Sequence, residues 1–174
     1  MTIKKIAGFI VPVLVVGTIV GSKYIQKQAN IEKKEKQAKI VKFLTTVDEN
    51  GRTPLHKAAY IGNETLVKHL VSKERADVNA KTNTGATPLH DAAAGGNVAV
   101  VEFLISEGTD VNAKTNTGAT PLHSAAVNQK VEAVQFLVSK GANVNATNND
   151  GKNALDMAKE KGNTEVVEYL SHIQ

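Results

Sequence analysis

The sequence predicts an all-α solenoid of repeated helix pairs, preceded by an apolar N-terminal helix. Three observations carry the prediction. Asp77–His90 reads D-V-N-A-K-T-N-T-G-A-T-P-L-H, and Asp110–His123 repeats those fourteen residues letter for letter. Looser copies at Asp48–His56 and Asn143–Asp156 place helix starts at Thr53, Thr87, Thr120 and Asn153, in steps of 34, 33 and 33 residues. A fixed period in that range marks stacked units, each unable to bury its apolar face alone. After each start, apolar residues recur at i, i+3 and i+4, as in Leu66, Val67 and Leu70 or Val166, Val167 and Leu170, the spacing of a buried helix face.

At the N-terminus, Lys4 and Lys5 precede seventeen uncharged residues, Ile6–Ser22. A spanning helix takes about 17–25 apolar residues, whereas the apolar core of a signal peptide runs to about 15. Residues 1–22 are therefore expected to form a single-pass membrane anchor, with Lys5 and Lys23 reaching to the interfaces and Pro12 tolerated as a kink. Two other readings stay open. One is a signal segment cleaved near Gly21 or Ser22, which would make the repeats periplasmic or secreted; the other is an apolar helix docked on the repeats. Lysine is denser after the segment than before it, which favours cytoplasmic repeats, yet a short lysine-bearing start also begins exported chains. Sidedness stays open.

Residues 23–39 read as a Lys-rich polar stalk. From Ile40 the pattern changes, with Ile40, Val41, Phe43, Leu44 and Val47 at helical spacing. Residues 40–47 are expected to be a partial helix capping the apolar flank of the first repeat, because end units need a cover. Repeats follow at about 48–80, 81–113, 114–146 and 147–174, so that 40–174 is one domain.

Each position within a repeat has a physical reason. Threonine caps the first helix and proline follows where its missing N–H is harmless. Leu55, Leu89, Leu122 and Leu155 point into the core, and paired alanines (Ala58-Ala59, Ala92-Ala93, Ala125-Ala126) let first helices stack closely. Gly62, Gly96 and Gly162 end the first helices in the left-handed conformation. Gln129 stands at that place in the third repeat, a departure expected to cost about 1 kcal/mol if φ stays positive. Gly108 and Gly141 end second helices. The first repeat lacks that glycine and has one extra residue, so the loop around Glu74-Arg75 is the expected irregularity. The fourth repeat replaces T-P-L-H by Asn153-Ala154-Leu155-Asp156, with Lys159 for the second alanine, as suits an end unit with one face in water.

These features resemble the ankyrin-repeat family from about Asp48 to the last residue. The resemblance implies paired antiparallel helices with β-turn or hairpin fingers, and a concave face of fingertips and outer first-helix positions that binds a protein partner. On the fingers the matching positions are Arg52, Lys81, Asn83, Thr84, Lys114, Asn116 and Thr117. On the first helices they are Lys57, Tyr60, Ile61, Asp91, Ala94, Ser124, Val127, Asn128 and Lys161. Tyr60 with Ile61 is the strongest anchor in this set, since interface energy concentrates in a few such side chains; the two middle fingers are identical and bland. The resemblance also implies that His56, His90 and His123 brace neighbouring turns.

Charge and composition narrow the function. Residues 1–22 carry a net charge of +2, residues 23–42 carry +5, and residues 43–174 carry −3. A nucleic-acid partner needs a basic surface, which the mildly acidic repeat domain does not offer. There is no cysteine, hence no disulfide, thiolate nucleophile or thiolate metal site. The repeated histidines lie one unit apart, about 8–10 Å between stacked helices, whereas two zinc ligands must approach within about 4 Å. No nucleophile elbow or phosphate-gripping glycine loop occurs. The expectation is a non-enzymatic binding module, without cofactor or metal and with a monomeric repeat domain, the remote alternative being an enzyme accessory subunit.

Overall fold

The computed structural model describes Ile31 and residues 46–173. Ile31 is helical and exposed. The expected anchor 1–22, the stalk apart from Ile31, and residues 40–45 of the expected capping helix lie outside the described residues.

Four repeats give eight helices within residues 46–173, in the order α1 (Pro54–Ile61), α2 (Glu64–Ser72), α3 (Pro88–Gly95), α4 (Val98–Ser106), α5 (Pro121–Val127), α6 (Val131–Ser139), α7 (Ala154–Lys161) and α8 (Thr164–Ser171). No strand occurs among the described residues. First helices α1, α3, α5 and α7 stack in succession, as do second helices α2, α4, α6 and α8.

The starts of the first helices follow from local chemistry. Thr53, Thr87 and Thr120 are extended N-caps with proline at the next residue. In a capping box the third helical residue reaches back to the cap N–H; here histidine does so. In α7, Asn153 and Asp156 supply the same reciprocal pair, with Asp156 N–H donating to Asn153 Oδ1 at 2.9 Å and Asn153 N–H to Asp156 Oδ2 at 3.1 Å. Left-handed Gly62, Gly96 and Gly162 end α1, α3 and α7 as expected. Gln129 keeps the positive φ, at 56°, and α5 ends one residue early at Val127. Arg75, in the loop after α2 that is one residue longer, takes the positive φ that Gly108 and Gly141 have after α4 and α6, at 54°, and is the other non-glycine residue among those described to do so.

Leu55, Leu89 and Leu122 are buried to within 1% exposure, with the alanine pairs at 0%. Burying one leucine contributes about 1.5–3 kcal/mol, and the small alanines let adjacent first helices approach without a gap. The second helices add Val67, Val101, Leu104, Val134, Leu137, Val166 and Leu170. Leu66 and Leu70 differ from expectation: both are only half-buried and line an apolar groove of about 640 Å³ with Val47, Pro54 and Ala76. Among the described residues α2 has a second-helix neighbour on one side only, α4. Val167, on α8, is likewise half-buried.

Candidate protein-binding face

A column of histidines holds the fingers to the helices. In His56, His90 and His123 the Nδ1 atom accepts from the backbone N–H of Thr53, Thr87 and Thr120 at 3.2, 3.1 and 3.1 Å, with the threonine hydroxyl 2.8–2.9 Å away. Each Nε2 donates to a carbonyl of the next finger: Ala86 at 3.0 Å, Ala119 at 3.1 Å and Lys152 at 3.0 Å. A carbonyl can only accept and a backbone N–H can only donate, so Nε2 carries the proton, Nδ1 carries none, and the rings are neutral. Burial pulls all three below the ordinary value of 6.5, and His90 falls to about 4. Both nitrogens of each ring are engaged in bracing, as the family resemblance implied.

The fingers form a second column. Each fingertip is a tight turn closed by a left-handed glycine, Gly51, Gly85, Gly118 or Gly151. Asn83 donates its backbone N–H to Asn50 O at 3.0 Å and its side-chain Nδ2 to Glu49 O at 2.9 Å. Asn116 does the same to Thr84 O and Asn83 O, and Asn149 to Thr117 O and Asn116 O. A β-carbon on Gly85 would collide with Asn116 Oδ1, so the glycine admits the amide as well as the turn. Thr84 and Thr117 lie with their hydroxyls 2.9 and 3.0 Å from those of Thr82 and Thr115. Asn83 and Asn116, expected as ligand contacts, thus have their amide nitrogens committed to the scaffold, although both remain exposed.

Three expected residues converge at the first finger. The Arg52 guanidinium lies 5.2 Å from the centre of the Tyr60 ring. Its Nε and Nη2 meet Asp91 Oδ2 and Oδ1 at 3.3 and 3.2 Å. Burial pushes the Asp91 carboxyl above its ordinary value, while the Arg52 charge draws it back. Tyr60 and Ile61 remain 48% and 53% exposed. Stacking on Arg52 restrains Tyr60 before any partner arrives, which reduces the ordering cost of binding.

One residue that supports Tyr60, Asn97, escaped the sequence reading. Asn97, before α4, donates Nδ2 to Ala59 O at 2.9 Å and to Tyr60 O at 2.8 Å. A β-carbon on Gly95 would run into the same Tyr60 carbonyl. Asn163 repeats the amide bridge to Ala126 O and Val127 O. The third repeat has Lys130 at the equivalent place, its side-chain carbons lying against Gly96. The recurrence of Asn63, Asn97 and Asn163, interrupted by Lys130, was the available signal.

Lys57 departs from the expected set. Its side chain is 2% exposed, with Nζ donating to Thr46 O at 2.8 Å and standing 3.8 Å from Asp48 Oδ2. It fastens the entry to the first finger. Ala94, Ser124 and Val127 are half-buried, while Lys81, Lys114, Asn128 and Lys161 are exposed. The amide of Asn128 turns back onto Ser124 O at 2.8 Å, and Lys152 pairs with Glu160 at 2.6 Å.

Stacked helix pairs, capped by a histidine brace and joined by an amide ladder, define a repeat scaffold with an exposed finger-and-helix face. A family model described as ankyrin repeats (3 copies) matches residues 29–115 and again 101–174. The chain belongs to the ankyrin-repeat family, whose repeats serve in general as protein–protein interaction modules. No curated protein matches it.

Proposed function

We propose that this chain is a non-enzymatic adaptor, tethered to a membrane through residues 6–22, that holds a protein partner on the face built around Tyr60, Ile61 and Arg52. The supporting observation is the exposed Tyr60–Ile61 pair beside a stacked, ion-paired arginine. A half-exposed aromatic with its rotamer restrained is the kind of residue at which interface energy concentrates. A tether would raise the local concentration of the repeats at the bilayer, so that modest affinity suffices. The described residues contain no helix long and apolar enough to cross a membrane, and the tether rests on the sequence of residues 6–22 alone.

The test compares the full-length chain with its Tyr60→Ala, Ile61→Ala double variant, each recovered with a co-purifying partner from native membranes. Affinity should fall at least about fivefold, or about 1 kcal/mol, with unchanged thermal unfolding. Unchanged affinity would move the interface elsewhere.

The lysine-bearing start followed by an apolar run also favours a second reading, in which cleavage near Ser22 releases a periplasmic or secreted binding protein. Mass spectrometry of the mature N-terminus separates the two. Intact Met1 in the membrane fraction supports the tether, and a start near Ser22 or Lys23 removes it.

A further inference from the structure

The partner's chemistry follows from which groups on this face are already engaged; the argument rests on the binding role proposed above. At the two middle fingers, Asn83 and Asn116 give their amide nitrogens to the ladder, and the threonine hydroxyls pair within each finger. Arg52 presents its face to Tyr60 and its edge to Asp91. Other groups on this face stay uncommitted. Lys81 and Lys114 are exposed, at equivalent positions of adjacent fingers, and neither takes part in an ion pair among the described residues. Tyr60 and Ile61 supply the apolar contact.

Among the described residues neither lysine is ion-paired with an acid of the face, and exposed Glu49 and Asp150 stand at the tips of the first and fourth fingers rather than on the two middle ones. Asp91 is held by Arg52, Glu160 by Lys152, and Asp77 and Asp110 turn back onto the N–H groups of Asn79 and Asn112.

We propose that this face takes a peptide segment of another protein that carries at least two carboxylates and one bulky apolar side chain, the carboxylates meeting Lys81 and Lys114 and the apolar group packing on Tyr60 and Ile61. Stacked units repeat at about 8–10 Å and an extended chain advances about 3.3 Å per residue, so in an extended segment the two acids lie about three residues apart. The lysines are solvated point charges that set register and encounter rate and repel a wrongly charged segment, so reversing them costs affinity, whereas the apolar anchor supplies most of the attraction. This division reconciles two basic middle fingers with a repeat domain that is acidic overall.

The probe is a phage-displayed library of random dodecapeptides, selected on the full-length chain in mild detergent. Selected peptides should be enriched in Asp or Glu together with Leu, Ile, Phe or Trp; enrichment of neutral or basic peptides overturns the proposal. A synthetic copy of a selected acidic peptide should lose at least tenfold in affinity to the Lys81→Glu, Lys114→Glu variant. A copy with lysine in place of its acids should regain binding to that variant. Affinities within twofold of each other across these pairs overturn the proposal.

Displacement of the acidic peptide by short-chain phosphatidylserine, but not by short-chain phosphatidylcholine, overturns it in favour of a lipid headgroup. If only the Tyr60→Ala, Ile61→Ala variant loses the peptide, the binding face stands and the acidic partner falls. If neither variant loses it, both fall.

Discussion

His90 donates its Nε2 proton to the carbonyl of Ala119, 3.1 Å away in the following finger, while its Nδ1 accepts from the N–H of Thr87. The ring works only when neutral, because protonated Nδ1 cannot accept. With the folded value near 4 against 6.5 unfolded, the unfolded chain binds the extra proton first as pH falls. The stability this histidine contributes is therefore complete above pH 6.5 and declines as pH drops through that value toward 4, at about 1.4 kcal/mol per pH unit. His56 and His123 shift in the same direction. Urea midpoints of the full-length chain should fall steeply between pH 6.5 and 5, and a flat profile there would contradict the neutral, braced rings.

Arg52 joins the first finger to α3. Arg52→Ala should destabilise the domain by about 1–2 kcal/mol, because Asp91 would stay half-buried without its cation. Asp91→Asn combined with Arg52→Ala should cost less than the two single changes added together, with a coupling of about 1 kcal/mol. Additive urea midpoints would mean the pair carries no interaction energy.

The finger ladder separates two neighbouring exposed residues. Asn116→Ala removes the amide that donates to Asn83 O and should cost about 1 kcal/mol. Lys114→Ala, which breaks no hydrogen bond or ion pair found among the described residues, should stay within about 0.5 kcal/mol. Thermal unfolding of both variants checks the contrast.

Gln129 occupies the left-handed conformation that glycine fills at the equivalent places in the other repeats. Gln129→Gly should stabilise the chain by about 0.5–1 kcal/mol, through relief of the clash between Cβ and the backbone. A lower urea midpoint would show that Gln129 makes compensating contacts.

Thr109 is 7% exposed, and its hydroxyl finds no hydrogen-bond partner among the described residues. Ala142 fills the corresponding site in the next repeat and is equally buried. Thr109→Ala should therefore raise stability by about 1 kcal/mol, the lower end of the penalty for an unsatisfied buried group. A drop would indicate that the methyl group matters more than the hydroxyl.

What could be read from the sequence was what a short window controls. Thr-Pro caps, the left-handed site at Gln129 and the irregular loop around Glu74-Arg75 all follow from spacing within one repeat, and the structure has each of them. Asn83 and Asn116 were harder because their amides bond one finger back, some 33 residues away in the chain, and an exposed asparagine looks the same whether it is free or committed. Lys57 aligned with Asp91 and Ser124 on the open face, but Thr46 and Asp48 draw it inward at the start of the array. Leu66 and Leu70 followed the periodic pattern of a buried face, yet burial depends on a neighbour that periodicity does not supply.

The doubled fourteen-residue stretch makes the middle repeats interchangeable in frame but not in recognition. Excising residues 81–113 would join Ala80 to Lys114 and recreate the same stretch at the join. Asn116 could then donate to the first finger as Asn83 does, and His56 to Ala119 as it does to Ala86. Three contacts would change: Ser124 would stand where Asp91 holds Arg52, Lys130 where Asn97 holds the Tyr60 carbonyl, and Asn128 would bring a β-carbon to the place where Gly95 lies against that carbonyl. Such a shortened chain should fold as a three-unit array and bind its partner less well. Loss or gain of a whole unit at the level of the gene would alter the reach of the array without a faulty joint, while disturbing the corner on which discrimination is proposed to depend.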